Sequence, residues 1–211
     1  QRPINNIVDI TNFILFGMGQ PLHCFDQNHV GGEKIVVTPC ADQTPFVTLD
    51  GVERKLSSAD LMICDSEKRP MCLAGVYGGL NSGVTDQTTS IFLESAYFNP
   101  TSIRKSARRH GLNTDASFRY ERGTDPNATV YCLKLAALLV KELAGGEICG
   151  DIIDIYPNPV KPFPVELKYD YAARLIGKHI PNNQVNSIAR SLEMEITAVT
   201  DESVSLLVPT Y

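Results

Sequence analysis

Four prolines in eight residues, Pro157, Pro159, Pro162 and Pro164, constrain this 211-residue chain more than any other stretch. Each lacks a backbone N–H and fixes φ near the extended value, so neither a helix nor an interior strand can run through the segment. What is left is a stiff, extended connector. The chain therefore divides into a first unit at residues 1–156, a proline-rich linker at 157–164 and a small unit at 165–211. A piece of about 50 residues rarely buries enough surface to stand alone, so the second unit reads as truncated. The chain opens at Gln1-Arg2-Pro3 without Met and closes on Pro209-Thr210-Tyr211 in what reads as a strand, as a piece of a longer polypeptide would.

Within the first unit, Ile7, Ile10, Ile14 and Leu15 recur at helical spacing, with Gly17 as the expected stop. Residues 34–39 read as a strand. Runs at 46–49 and 52–56 flank Asp50-Gly51, the strongest hairpin signal in the chain. Short strands follow at 61–64 and 71–74, then a glycine-rich loop at 75–79 and a strand at 91–96. Asn99 caps a helix with Pro100 in its first turn and Gly111 where it stops. A long amphipathic helix comes next, capped by Asp125-Pro126 and ended by Gly145-Gly146, and a strand at 151–156 closes the unit. Past the linker come a strand at 165–167, helical patterns near 169–176 and 182–192, and a hairpin around Asp201-Glu202. The expected class is α+β: mixed or antiparallel sheets with packed helices, followed by a small, truncated winged-helix-like domain.

Hydrophobic content of 43% and charged content of 20% are those of a globular protein. No apolar run reaches the length of a bilayer span and no leader opens the chain, so no membrane partner is expected. A net charge of −5 argues against a general nucleic-acid coat, and any RNA contact must come from a local patch. Such a patch exists between residues 102 and 125, where Arg104, Lys105, Arg108, Arg109, Arg119 and Arg122 fall together. Arg104 and Arg108 stack at i,i+4, as do Lys105 and Arg109. Each like-charged pair costs roughly 0.2–0.5 kcal/mol unless an anion neutralises it. The six cysteines, Cys24, Cys40, Cys64, Cys72, Cys132 and Cys149, form no CxxC pair and have no histidine at a zinc-like spacing. Buried free thiols are the reading for Cys40, Cys64 and Cys132, which fall in or beside apolar elements, and no metal site is expected.

Three places outside the basic stretch could do chemistry. His23 follows a helix and a rigid turn, where it could serve either structure or function. The run from Leu73 to Gly79 sets glycines just after a strand, which suits a tight turn or a close backbone approach to a ligand. Glu94 lies on a strand face with Phe92 and Ala96, so a buried carboxylate there must be paired, hydrogen-bonded or protonated. Neither HExxH nor a Walker motif occurs, and no Ser-His-Asp order can be read. Hydrolysis by this chain would need a positioned water.

Several ordered blocks resemble one family. They are Arg2-Pro3-Ile4-Asn5-Asn6 through Asp9-Ile10-Thr11-Asn12, Gly19-Gln20-Pro21-Leu22-His23, Thr48-Leu49-Asp50-Gly51, Leu73 to Gly79, Glu94, and Ser102-Ile103-Arg104-Lys105 through Glu121-Arg122-Gly123. Their order and spacing are similar to the central part of the beta subunit of bacterial phenylalanyl-tRNA synthetase. The resemblance implies that residues 1–156 are a B3/B4 tRNA-editing module and the remainder most of a B5 module. It implies hydrolytic proofreading of mischarged Tyr-tRNA(Phe), with tRNA(Phe) and the synthetase alpha subunit as partners and a cytoplasmic location. ATP and magnesium would serve the full enzyme, and no cofactor is expected in this fragment.

The family pocket maps onto Arg2, Thr11, Asn12, Pro21, His23, Leu49, Ala74, Gly75, Glu94, Thr114 and Ala116. On that mapping Glu94 and the Gly75 N–H read the tyrosine hydroxyl, while Leu49, Pro21 and Ala74 grip the ring. His23 and Thr11 position water or the substrate amino group. Arg104, Lys105, Arg108 and Arg109 are the candidate RNA contacts, and Arg119 and Arg122 are expected in internal salt bridges. The rival reading is a noncatalytic RNA-docking and scaffolding module of the synthetase. A weaker one is a domain that binds a tyrosine-like ligand without turnover.

Overall fold

In the computed structural model, which describes residues 3–211, the chain opens with helix α1 (Asn6–Met18). The Asn5 side chain caps it by accepting from the Val8 N–H at 2.9 Å. Ile10, Ile14 and Leu15 form its buried stripe. The helix runs through Gly17 and stops at Gly19, whose φ of 73° supplies the left-handed turn that a C-cap requires.

Strand β1 (Leu22–Asp26) follows, and two single 3₁₀ turns lead to β2 (Val36–Pro39). Next come β3 (Pro45–Val47), β4 (Glu53–Lys55), β5 (Leu61–Cys64), β6 (Pro70–Leu73), β7 (Tyr77–Gly78) and β8 (Ile91–Ser95). The sheets are antiparallel and small. One has the order β2-β5-β6-β7, β3 pairs with β4 across Asp50-Gly51, and β1 pairs with β8. Single bridges, Thr48 to Gly79 and Phe25 to Gly83, connect neighbouring pieces. The loop expected at 75–79 is thus partly strand, because β7 folds back on β6.

Helix α2 (Pro100–His110) has the expected ends: Asn99 accepts from the Ser102 N–H at 3.1 Å and Gly111 has a φ of 64°. A further short helix, α3 (Asp115–Tyr120), was not expected. Thr114 and Ser117 form its reciprocal capping box, a signal present in the sequence but carried by serine instead of the usual glutamate. Helix α4 (Thr129–Ala144) starts later than expected, since Asp125 accepts from the Asn127 N–H and makes a turn before the helix. Residues 151–156 form no strand. Their β-branched pattern finds no ladder partner among the described residues, and Ile153 and Ile155 remain about four-fifths exposed.

The main core gathers Phe25, Leu56, Met62, Ile63, Leu73, Ile103 and Tyr120. A second cluster packs Ile10 and Ile14 of α1 against Cys132 and Ala136 of α4, with Leu22 and Leu93 of the β1–β8 pair beside it. Cys24, Cys64, Cys72 and Cys132 are buried, and burial pushes the Cys24 and Cys64 thiols up to about 12, which makes them inert. Cys40 is half-buried and Cys149 exposed.

The chain divides after Asp154 into two units. In the second, β9 (Phe163–Lys168), α5 (Tyr169–Ile176), α6 (Asn182–Ser191), β10 (Glu195–Val199) and β11 (Ser203–Val208) form a three-stranded sheet of order β10-β11-β9 with two helices. Phe163 and Pro164, expected in the linker, pair with Val208 and Leu207 instead. The proline is tolerated because β9 is an edge strand. The last three residues fall beyond β11. The core here is small: Tyr169, Ala189, Val204 and Leu206. Among the described residues no helix is long and apolar enough to cross a membrane.

Candidate functional site

A cavity of about 220 Å³ opens where the middle of α1, the β1–β8 pair, the 75–78 turn and the start of α3 converge. Its two ionisable walls come from one ladder. His23 of β1 and Glu94 of β8 are direct cross-strand partners, so their Cα atoms lie about 5 Å apart with side chains on the same face.

Both groups are perturbed by the surrounding protein. Burial pushes the His23 imidazole down to about 4, which keeps it neutral at pH 7. Its Nε2 is buried and, among the described residues, has no hydrogen-bond partner. The edge of Phe25 braces the ring, with centroids 4.4 Å apart. Burial also pushes the Glu94 carboxyl up to about 7. No cation or hydrogen-bond donor among the described residues offsets that cost, so the carboxyl is half protonated near neutrality. An unpartnered buried atom such as His23 Nε2 calls for a partner that the described residues do not supply.

The ladder is held at one end by two donors. Gln20 Nε2 donates to the carbonyls of Pro21 (3.1 Å) and Ala96 (2.8 Å), and the Tyr120 hydroxyl lies 3.0 and 3.2 Å from the same oxygens. Those carbonyls flank Leu22 and Ser95, the last paired residues of β1 and β8. The glycines serve close packing. A Cβ on Gly78 would stand 2.9 Å from His23 Cε1 and Leu49 Cδ1, and one on Gly75 would stand 2.8 Å from Phe98. Gly75 also has a φ of +66°. Among the described residues its N–H donates no hydrogen bond.

Thr11 Oγ1 gives its proton to the Val8 carbonyl at 2.8 Å, so toward the cavity it can only accept. Thr114 is fully engaged: its hydroxyl donates to the Val76 carbonyl at 2.8 Å and caps α3. It therefore fixes the wall and leaves no proton for a ligand.

Of the residues mapped to the pocket, Thr11, Asn12, Pro21, His23, Leu49, Gly75, Glu94, Thr114 and Ala116 all line this cavity. Ala74 does not; at 1% exposure it lies behind the wall, packed in the main core at the start of the turn that follows β6. Arg2 lies outside the described residues. The sequence reading missed Cys72, Phe98, Asp115 and Tyr120, which also line the space. Asp115 adjoins Thr114, but nothing local marks the others.

The basic stretch divides by function. Arg109 is not a free cation: with His110 (2.7 Å) and Ser106 (2.7 Å) it binds Asp60, whose side chain is fully buried. Burial would raise the Asp60 carboxyl, but hydrogen bonds from Ser106 and His110 outweigh it and hold the group below its usual value. Arg104 donates to the Glu121 carbonyl at 2.8 Å, whereas Lys105 and Arg108 lie on the exposed face. Arg122 pairs with Glu121 at 2.7 Å. Arg119 makes no salt bridge among the described residues; it donates to the Asp115 carbonyl and sits over the Phe16 ring. Among the described residues no group of three or more His, Cys, Asp or Glu side chains could hold a metal ion.

Comparison with known proteins gives a consistent result. A family model described as the B3/4 domain matches residues 1–145. Over 210 residues, 100% of its length, the chain is 60% identical to the phenylalanine–tRNA ligase beta subunit of Bacteroides fragilis and covers 26% of that protein. It is 55% identical over the same length to the phenylalanine–tRNA ligase beta subunit of Porphyromonas gingivalis, again covering 26%. A solved N-terminal fragment of the phenylalanyl-tRNA synthetase beta subunit from Pyrococcus horikoshii superposes on 97% of this chain and 59% of its own, at 14% identity and a TM-score of 0.45. The chain thus spans about a quarter of the length of the curated relatives it matches.

Proposed function

The chain belongs to the B3/4 domain family, and from that premise we propose that its cavity hydrolyses the ester of a tyrosyl group mistakenly attached to tRNA(Phe). On this reading residues 1–156 act as an editing module within a cytoplasmic phenylalanine–tRNA ligase beta subunit, working with the alpha subunit. The second unit would be part of a B5 module. Ligation, with its ATP and magnesium, would take place elsewhere in that enzyme.

The observation that carries the reading is the His23–Glu94 pair, an imidazole with an unpartnered buried Nε2 and a carboxyl raised by burial, facing one cavity from opposite residues of a single ladder. A phenol fits the Glu94 side. Its O–H donates to the ionised carboxylate and its oxygen accepts from the free Gly75 N–H, while Leu49 and Pro21 flank the ring. Phenylalanine would leave both groups unpaired, and sites built on such a hydrogen bond reject the analogue by roughly 10⁴–10⁵-fold.

At the other end, water attacks the ester carbonyl. A C–O bond forms, the bond to the ribose oxygen breaks, and the departing ribose hydroxyl takes up the proton as tyrosine leaves. His23 orients that water through Nε2. With its pKa near 4 it is too weak a base to hold the proton at pH 7, so its part is positioning. Thr11, an acceptor toward the cavity, holds the substrate ammonium or the second water hydrogen. A docking module without chemistry would have no use for this pair.

Deacylation of Tyr-tRNA(Phe) by the complete two-subunit enzyme tests the reading. His23→Ala should lower kcat, and Glu94→Ala should lower the preference for tyrosyl over phenylalanyl esters. Unchanged rates and selectivity in both variants would refute it.

A further inference from the structure

The α1–α3 edge of the cavity carries an arrangement that ester hydrolysis does not use. Phe13 and Phe16 of α1 are 64% and 51% exposed, and Phe118 of α3 is 47% exposed. Two of these rings carry a guanidinium. Arg119 lies 5.0 Å from the Phe16 centroid, reaching from α3 to α1, and Arg122 lies 3.6 Å from the Phe118 centroid.

Helical spacing sets this edge beside the cavity. Asn12 and Phe16 are one turn apart on α1, Ala116 and Arg119 one turn apart on α3, and Asn12 and Ala116 both line the cavity. Arg104 joins the edge through its hydrogen bond to the Glu121 carbonyl. The charges there are Arg104, Arg119 and Arg122 against Asp115 and Glu121, so the edge is positive in a chain of net charge −5. Exposed π-faces flanked by guanidinium groups suit stacked bases and their phosphates.

We infer that this edge is a stacking platform for the single-stranded 3′ end of the RNA, with the terminal base on the Phe16–Arg119 pair. The inference rests on the proposed action of the cavity on an aminoacyl-RNA ester. Charge complementarity to phosphate and continuity with the cavity select RNA over a protein partner. An ester seated beside His23 has its nucleoside outside, and on the α1–α3 edge Phe16, one turn from the cavity-lining Asn12, offers an exposed ring.

The test uses the complete two-subunit enzyme and two substrates, Tyr-tRNA(Phe) and the same molecule with an abasic 3′-terminal nucleotide. Phe16→Ala should raise KM about 5- to 150-fold on the intact substrate, the span of one base–aromatic stack, with kcat little changed. Phe16→Tyr should restore it, and the abasic substrate should show no difference between wild type and Phe16→Ala. No effect of Phe16→Ala, or an equal effect on both substrates, would overturn the platform; the equal effect would mark the face as a protein contact. If wild type does not hydrolyse Tyr-tRNA, the underlying reading fails instead. The platform is then judged by binding of uncharged tRNA and its abasic twin, where Phe16→Ala must weaken only the intact RNA.

Discussion

Glu94 offers a test in which pH replaces mutation. Its carboxyl titrates near 7 because burial penalises the charge and nothing among the described residues compensates. About nine in ten of these groups are ionised at pH 8 and about one in ten at pH 6. Only the ionised form takes a charge-assisted hydrogen bond from a phenol, roughly twice as strong as the neutral one. The ratio of kcat/KM for Tyr-tRNA to that for Phe-tRNA should therefore fall about tenfold from pH 8 to pH 6. Forming the ratio removes the pH dependence of water attack, which both esters share. Glu94→Gln, which has no ionised form, should be flat over the same range and no more selective than wild type at pH 6.

Stability moves the opposite way. Because the folded pKa lies above the unfolded one, the folded chain keeps a proton between pH 4.5 and about 7 that the unfolded chain has lost, so stability declines as pH rises through that window. The decline is at most about 3 kcal/mol, less in proportion to the water that reaches the cavity. A selectivity ratio constant from pH 6 to pH 8, or a slope that survives in Glu94→Gln, would refute the assignment of Glu94 as the hydroxyl reader.

Two further outcomes concern the frame around the site. Asp60→Ala leaves Arg109 and His110 without the buried carboxylate that holds α2 to the turn before β5, and should cost about 3–5 kcal/mol in denaturant unfolding. Because the Asp60 carboxyl is held below its usual value, its contribution is present above about pH 4 and is lost as acid protonates it, so wild type and variant should converge at low pH. Gly75→Ala forces a Cβ against Phe98, Ile103 and Tyr120 at a left-handed φ; it should cost about 1–3 kcal/mol and lower editing more than stability alone explains. Melting and deacylation measured side by side separate the two effects.

Local signals carried much of the fold. Asn99-Pro100 and Gly111 bound α2, and Asp50-Gly51 turns β3 into β4, because caps and tight turns are decided by a few adjacent residues. Gly17 misled because a glycine tolerated within a helix looks in sequence like one that ends it; only the positive φ of Gly19 separates them. Residues 151–156 failed as a strand for the opposite reason: β-propensity without a partner makes no ladder.

The cavity residues were legible only as blocks, through family resemblance. Chemistry alone left His23 and Glu94 open, since their meaning depends on facing each other across a ladder between residues far apart in the chain. The same limit hid Asp60. In sequence Arg109 is one more member of a cationic ridge, and the carboxylate that claims it lies 49 residues away.

Among the described residues the β1–β8 ladder has only two strands, and beyond them a single bridge from Phe25 to Gly83. A single inserted or deleted residue in either would shift the pairing by one and turn either His23 or Glu94 to the far side of the sheet. A point substitution alters one side chain, whereas an indel here undoes the pairing that sets His23 opposite Glu94. Length variation in such chains should thus be confined to the loops outside 22–26 and 91–95, a pattern that aligned sequences can display without any assay.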